Sequence, residues 1–200
     1  MISTIILAAG ESKRMGQPKM LLPWGKSTVL QTVITTFQSA GIRDILVVTG
    51  GAHDQVDTLV GQSVQIVYNK NYAHGEMLSS IQTGLNIKKS ESRAVLIALG
   101  DQPQVQAISI QKILQEYKQT AAPLIVPSYQ MRRGHPWLVA QELWDEILGM
   151  PAGETSREFL NRHARDIHYV QLETPTILQD LDTPEDYLGS FSQKPSQNLK

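Results

Sequence analysis

Cysteine is absent from all 200 residues, which excludes disulfides, thiolate metal ligands and cysteine nucleophiles together. Neither sign of charge is in excess: 18 Lys and Arg stand against 19 Asp and Glu, a formal net charge of -1. So balanced a chain lacks the basic footprint that nucleic acid requires and the polybasic patch that an anionic membrane attracts, which leaves small molecules as partners. Long apolar runs are missing as well. The run in MISTIILAAG is too short to span a bilayer and has no basic segment before it, and no later stretch reaches the ~20 apolar residues of a membrane helix. A soluble, cytoplasmic protein is expected, with no nucleic-acid and no membrane partner.

What is present suffices for one sizeable core. Apolar residues make up 41% of the chain, and no long interior linker divides it. The expectation is a single domain over residues 1–191 and a mobile tail over 192–200, SQKPSQNLK, which has no aliphatic periodicity. Short runs rich in Val, Ile and Leu read as strands covered on both faces: Thr4 to Ala8, Ile45 to Thr49, Val64 to Tyr68, Ala94 to Leu99 and Leu124 to Pro127. Between them, Thr28 to Ala40 carries Val29, Leu30, Val33, Ile34 and Phe37 at helical spacing, with Ser27 or Thr28 as cap and Gly41 past the end. Met77 to Ile87 and Ile108 to Tyr117 repeat that pattern. Alternation of this kind predicts an α/β domain with a mostly parallel sheet and ligands at the carboxyl ends of its strands. After about Ser128 regularity falls. A loop containing MRRGHP, helices near Gln141 to Leu148 and Thr155 to His163, and a strand near Ile167 to Gln171 are expected there.

Residues Ile5 to Lys19, IILAAGESKRMGQPK, run from an apolar strand into a small-residue turn and a loop holding Arg14 and Lys19. Gly10 and Gly16 can take positive φ and let backbone N–H groups face anionic oxygens, while the two cations neutralise charge. The order suits a polyphosphate. Gly100-Asp101-Gln102-Pro103 directly follows the strand Ala94 to Leu99, so Asp101 is placed either to hold Mg²⁺ against phosphate oxygens or simply to start the next helix from a turn. In LQDLDTPEDY, Asp182 or Thr183 caps a final helix with Pro184 in its first turn, and a cap carboxylate can also face a cation.

These strings together, LAAGESKRMGQPK, LLPWG, GDQP, RRGHP and LDTPEDY, resemble the MobA-like nucleotidyltransferases, and within them the molybdenum-cofactor cytidylyltransferase branch, from about Ile5 to Tyr187. The resemblance implies a Rossmann-like, mostly parallel sheet of the nucleotide-diphosphosugar transferase type with a mixed C-terminal half. It further implies that Leu7, Ala8, Ala9 and Gly10 meet the base and ribose, that Gly75 and Ser80 read the base, and that Arg14 and Lys19 hold the triphosphate. Asp101 and Asp182 would bind Mg²⁺, with Arg14, Lys19 and Asp101 as the catalytic set. Arg133, Gly134, His135 and Pro136 would face a molybdopterin-type phosphorylated acceptor, with Arg132, Arg133 and His135 able to hold its phosphate. Gly153-Glu154-Thr155-Ser156-Arg157 departs from the Gly-Asp-x-Gly-Ala-Arg string of many relatives.

The implied reaction is transfer of CMP from CTP to the acceptor's terminal phosphate with release of pyrophosphate, and the product passes to a molybdoenzyme or its chaperone. Ala9, where the guanylyl branch more often has glycine, narrows the space over the base and favours CTP over GTP. A guanylyltransferase on the same cofactor, a cytidylyltransferase for another phosphorylated small molecule and a non-catalytic nucleotide-binding cofactor chaperone are the alternatives. No G-x-G-x-x-G follows the first strand, which counts against a dinucleotide oxidoreductase. His53, His74, His163 and His168 lack metal-ligand spacing and read as surface or hydrogen-bonded residues. Trp24 and Trp137 could offer a stacking face, whereas Trp144 reads as core.

Overall fold

A computed structural model describes residues 1–74, 76–90 and 92–192. The chain opens with β1 (Ile2–Ala8) and a loop holding two 3-10 turns, Lys13–Met15 and Lys19–Leu21. A short hairpin of β2 (Pro23–Trp24) and β3 (Ser27–Thr28) then leads into α1 (Val29–Ser39). β4 (Ile45–Thr49), α2 (His53–Val60), β5 (Gln65–Tyr68), α3 (Glu76–Lys88), β6 (Ala94–Leu99) and α4 (Ala107–Thr120) continue the alternation. The remainder comprises β7 (Leu124–Tyr129), β8 (Arg132–Arg133), β9 (Trp137–Ala140), α5 (Trp144–Gly149), α6 (Ser156–Arg162), β10 (His168–Gln171) and α7 (Pro184–Ser192).

The main sheet runs β10-β7-β9-β6-β1-β4-β5, with β8 added to β7. β6, β1, β4 and β5 are mutually parallel, β9 runs antiparallel to both β6 and β7, and β10 is parallel to β7. This is the expected α/β sheet, mostly parallel with a mixed C-terminal half. Alternation along each inner strand explains the two-sided core. Ile6, Ala8, Val47 and Leu96 meet Leu30, Phe37, Val56 and Ile110 on one face. Ile5, Leu7, Val48 and Ile97 meet Leu78, Leu85, Trp144 and Phe159 on the other. Trp144 is 1% exposed, and its indole N–H donates to the Val139 carbonyl at 3.1 Å, so its large ring is buried without an unpaired donor.

Thr28, rather than Ser27, caps α1: its hydroxyl accepts the Gln31 N–H at 3.3 Å. Several elements escaped the sequence reading, the short strands β2, β3 and β8 among them. Residues 137–140 belong to β9, a strand with a partner on each side, and 53–60 form α2, which buries Val56 and Val60 and packs Leu59 against the core. Among the described residues, no helix is long and apolar enough to cross a membrane. The expected tail falls almost wholly outside the described residues, with α7 ending at Ser192.

Candidate active site

Because β1, β4 and β6 are parallel, the segments that follow them emerge at one edge of the sheet. There a cavity of about 380 Å³ is lined by Leu7, Ala9, Gly10, Lys19, Ser80 and Asp101, all named from the sequence, together with Asp180 and Asp182 from the far end of the chain. A neighbouring cleft of about 250 Å³ shares Gly10, Lys19 and Asp182 with it and adds Ser12 and Arg14. Ala8 is 2% exposed and its methyl packs into the core. Gly75 lies outside the described residues.

The loop after β1 is folded on itself: the Ser12 hydroxyl accepts the Lys19 N–H at 3.1 Å. Gly16 takes φ 66°, as expected, but Gly10 does not enter the left-handed region, and Ser12 does so instead with φ 54°. Gly10 serves differently. A Cβ built on it meets nothing within 4 Å, so the missing side chain leaves open cavity where backbone can approach a ligand. Gly10→Val is therefore expected to leave the melting temperature near wild type while nucleotide affinity, read by calorimetry, falls by about 10-fold or more, as filling a ligand's volume does.

Lys19 and its partners carry the electrostatics. Its side chain is 11% exposed, and the ammonium bonds Asp101 and lies 3.0 Å from Asp182 Oδ1, while Arg14 Nη2 reaches Asp182 Oδ2 at 2.8 Å. Burial works against the Lys19 charge, but the attraction of Asp101 and Asp182 outweighs it and holds its pKa above the ordinary 10.5. Partial burial likewise opposes the Asp182 charge, and the Lys19 and Arg14 contacts overcome it, keeping that carboxyl below 3.8. Lys19 thus stays charged through neutral pH, and its pairing is lost only as pH rises through its raised value.

Why Asp182 is available is visible in the local structure. Thr183 caps α7, its hydroxyl accepting the Asp186 N–H at 3.2 Å while the Asp186 carboxylate accepts the Thr183 N–H at 2.9 Å. Asp182, the other candidate cap, is left to face the two cations. Leu181 N–H donates to the Asp101 carbonyl at 3.2 Å, and the Tyr187 hydroxyl donates to the Pro23 carbonyl at 2.6 Å, tying this segment to β6 and the hairpin.

Asp180 differs from its neighbours. Desolvation and the Asp101 charge push its pKa above 3.8, although Gln102 donates to its Oδ1 at 2.6 Å and pulls the other way. A carboxyl with a raised folded-state pKa binds its proton more tightly folded than unfolded, so its ionised form costs stability at neutral pH. Asp180→Asn keeps an oxygen for Gln102 and removes the charge. Its melting temperature is expected to exceed wild type at pH 7, the difference closing as pH falls to the ordinary 3.8.

The acceptor-side residues stand apart: none of Arg133, Gly134, His135 and Pro136 lines the cavity. Arg133 donates to the Tyr169 hydroxyl at 2.8 Å and to Asn161 Oδ1 at 3.1 Å. Gly134 abuts Ile177, whose carbonyl oxygen a Cβ there would approach to 2.5 Å, and Pro136 follows a cis bond. The His135 ring stacks on Trp137 with centroids 4.4 Å apart, its Nε2 shut off from solvent and without a hydrogen-bond partner. Burial lowers its pKa from 6.5 to about 3. The three residues expected to hold an acceptor phosphate, Arg132, Arg133 and His135, are placed differently from one another. Adjacent strand residues Arg132 and Arg133 face opposite ways, Arg133 is engaged, and His135 is neutral. Since unfolded His gains its proton near 6.5, His135 weakens the fold as pH falls from there toward about 3. Denaturant melts of His135→Gln are expected to show a shallower acid limb than wild type. Trp24 and Trp137, at 4% and 6% exposed, offer no free stacking face.

Residues 4–167 match the MobA-like NTP transferase domain. The chain belongs to this family of nucleotidyltransferases. The molybdenum cofactor cytidylyltransferase of Escherichia coli (strain K12) is 31% identical over 188 residues, 94% of each chain. Nicotine blue oxidoreductase of Paenarthrobacter nicotinovorans is 26% identical over 92% of this chain and 93% of its own. Rv0371c of Mycobacterium tuberculosis H37Rv, solved in complex with manganese, superposes with a TM-score of 0.75 at 25% identity, covering 96% of this chain and 98% of its own. For this MobA-like enzyme the stretch Gly153 to Arg157 has a local explanation. Thr155 and Glu158 form a capping box that starts α6, a Thr-x-x-Glu signature legible in the sequence but not used. Asn69 and Tyr72 were also missed, sitting in a loop with no motif to mark them.

Proposed function

We propose that the enzyme transfers CMP from CTP to the terminal phosphate of a molybdopterin-type cofactor. An oxygen of the acceptor phosphate attacks the α-phosphorus, the bond from that phosphorus to the β-phosphate oxygen breaks, and pyrophosphate leaves with the electron pair. An anionic phosphate needs no protein base, so the work falls to positioning and charge neutralisation. The observation that carries this reading is the meeting of Lys19 and Arg14 with Asp101 and Asp182 beside the Ala9-Gly10 turn. In the reading, Lys19 and Arg14 release their carboxylates to take phosphate oxygens, and the Ala9 methyl limits the ring to a pyrimidine.

Among the described residues no group of three or more His, Asp or Glu is spaced to hold a metal by itself. The donor set nonetheless fits Mg²⁺, which takes one or two carboxylates and fills its shell with water and substrate oxygens. The oxygens of Asp101 and Asp182 already share one cation, the Lys19 ammonium, and these two residues would hold the metal. When bound, Mg²⁺ neutralises triphosphate charge. The manganese complex of the M. tuberculosis relative supports a divalent site. We place the activity in the cytoplasm, where the product passes to a molybdoenzyme or its chaperone.

The test is pyrophosphate release measured with CTP, GTP and ATP, Mg²⁺, and molybdopterin against methylerythritol phosphate. Release with CTP and molybdopterin is expected. Turnover only with methylerythritol phosphate would overturn the acceptor, and preference for GTP would overturn the Ala9 argument.

A further inference from the structure

At the opposite edge of the sheet, where β1, β4 and β6 begin at Ile2, Ile45 and Ala94, lies a cavity of about 630 Å³, larger than the cavity of about 380 Å³ beside the Ala9-Gly10 turn. Its volume suits a small molecule. Ile2, Ile42, Leu114 and Tyr117 give it apolar walls. Leu114, Tyr117 and Lys118 share one side of the last turns of α4, so the helix carries the face that buries Ile110 and Ile113 in the core onward into this cavity.

Three cations line the same space, Arg43, Arg93 and Lys118, against one acid, Asp44. That acid is already engaged. Its Oδ1 accepts from Lys88 Nζ at 2.6 Å, and its Oδ2 accepts from the Ser3 hydroxyl. Glu116, two residues before Lys118, is turned to the His168 ring at 3.0 Å. Among the described residues the side chains of Arg43, Arg93 and Lys118 form no ion pair and no hydrogen bond. Lys118 lies in the last turn of α4, where a cation offsets the helix dipole. The two arginines have no such local reason. Arg43 precedes β4 and Arg93 precedes β6, the strands that pair with β1 on its two sides, so the two residues stand on either side of Ile2.

We propose that this cavity is a second binding site, for a small amphipathic anion: its apolar body lies against Leu114 and Tyr117, and its acidic group takes Arg43 and Arg93. A guanidinium presents paired N–H donors that match the oxygens of a carboxylate, sulfonate or phosphate. Both halves of such a ligand find a partner. A neutral hydrocarbon would cover the walls but strip water from the cations without pairing them, and a bare polyanion would leave the walls wet. The site is also separate from the first one. β1 spans about 20 Å from Ile2 to Ala8, so a ligand here touches none of Lys19, Asp101 and Asp182, and both cavities can be filled together.

The probes are anilinonaphthalene sulfonate, an aromatic body with one anionic group, and phenylnaphthylamine, its neutral counterpart. Fluorescence titration of the full chain is expected to show saturable binding of the sulfonate, about 10-fold or more tighter than of the amine, the worth of a hydrogen bond to a charged group. Backbone amide NMR shifts caused by the sulfonate are expected at Gly41 to Asp44, Arg93 and Leu114 to Ala121, and not at Ala9, Gly10 or Asp101. Arg43→Glu combined with Arg93→Glu is expected to weaken the sulfonate about 10-fold or more while thermal melts stay near wild type, both side chains being exposed. If that pair lowers the melting temperature, Arg43→Gln with Arg93→Gln removes the charges without adding acids beside Asp44, and the same weakening is expected. Absence of saturable binding, equal affinity for the neutral amine, shifts that fall on the cavity beside the Ala9-Gly10 turn, or a folded double variant that binds the sulfonate as tightly as wild type would each overturn the site.

Discussion

On the proposed function, Lys19→Ala is expected to lower turnover at saturating CTP by about 10² or more, the cost of removing a fixed donor aimed at charge that develops in the transition state. The size follows from where the ammonium sits. The Lys19 side chain is 11% exposed, so little water is available to replace the ammonium, which links the loop after β1 to both Asp101 and Asp182. Alanine also leaves those two carboxylates facing each other without the cation between them. Stopped-flow or steady-state assays with CTP in excess check the effect, since a change confined to KM would mean that Lys19 contributes only to ground-state binding. Near wild-type kcat would remove Lys19 from the catalytic set.

Asp101→Asn is expected to lower kcat/KM by about 10² to 10³, comparable with the loss of a principal electrostatic contact in a water-poor site. Asparagine keeps the shape and an oxygen but not the charge that holds a divalent ion. Direct titration with Mn²⁺, followed by its electron paramagnetic resonance signal in the presence of CTP, is expected to show weakened metal uptake independent of turnover. The same substitution removes the strongest attraction raising the Lys19 pKa, leaving burial less opposed, so that pKa moves downward. Lys19→Ala and Asp101→Asn share one contact, and their combined cost is expected to be smaller than the product of the separate costs. Multiplicative losses would mean that the two side chains act on different steps.

The parallel half of the fold was legible because β1, β4 and β6 are buried on both faces and so read as unbroken apolar runs. β9 was not. Its four residues Trp137 to Ala140 follow a Gly and Pro loop, and nothing local reveals that they pair with both β6 and β7. The loop that brings Arg14 and Lys19 to the cavity was legible from Gly16 and from the two cations themselves. From the sequence, Asp182 and Thr183 were equal candidates for the cap, and Asp182 could face a cation in either case. Contacts to residues 163 and 168 positions away decided it, with Thr183 taking the cap. His135 shows the opposite failure, since its charge state depends on burial that a Gly and Pro loop does not announce.

The reach from Arg14 and Lys19 to Asp182 has a bearing on biogenesis. Synthesis delivers the cationic loop well before Asp182, 163 residues beyond Lys19, so a chain still on the ribosome can assemble β1, β4 and β6 while this side of the cavity is incomplete. The cavity gains its last carboxylate when α7 docks against the hairpin through Tyr187. Until then Lys19 keeps Asp101 as its counter-ion, while Arg14 lacks the carboxylate it later engages.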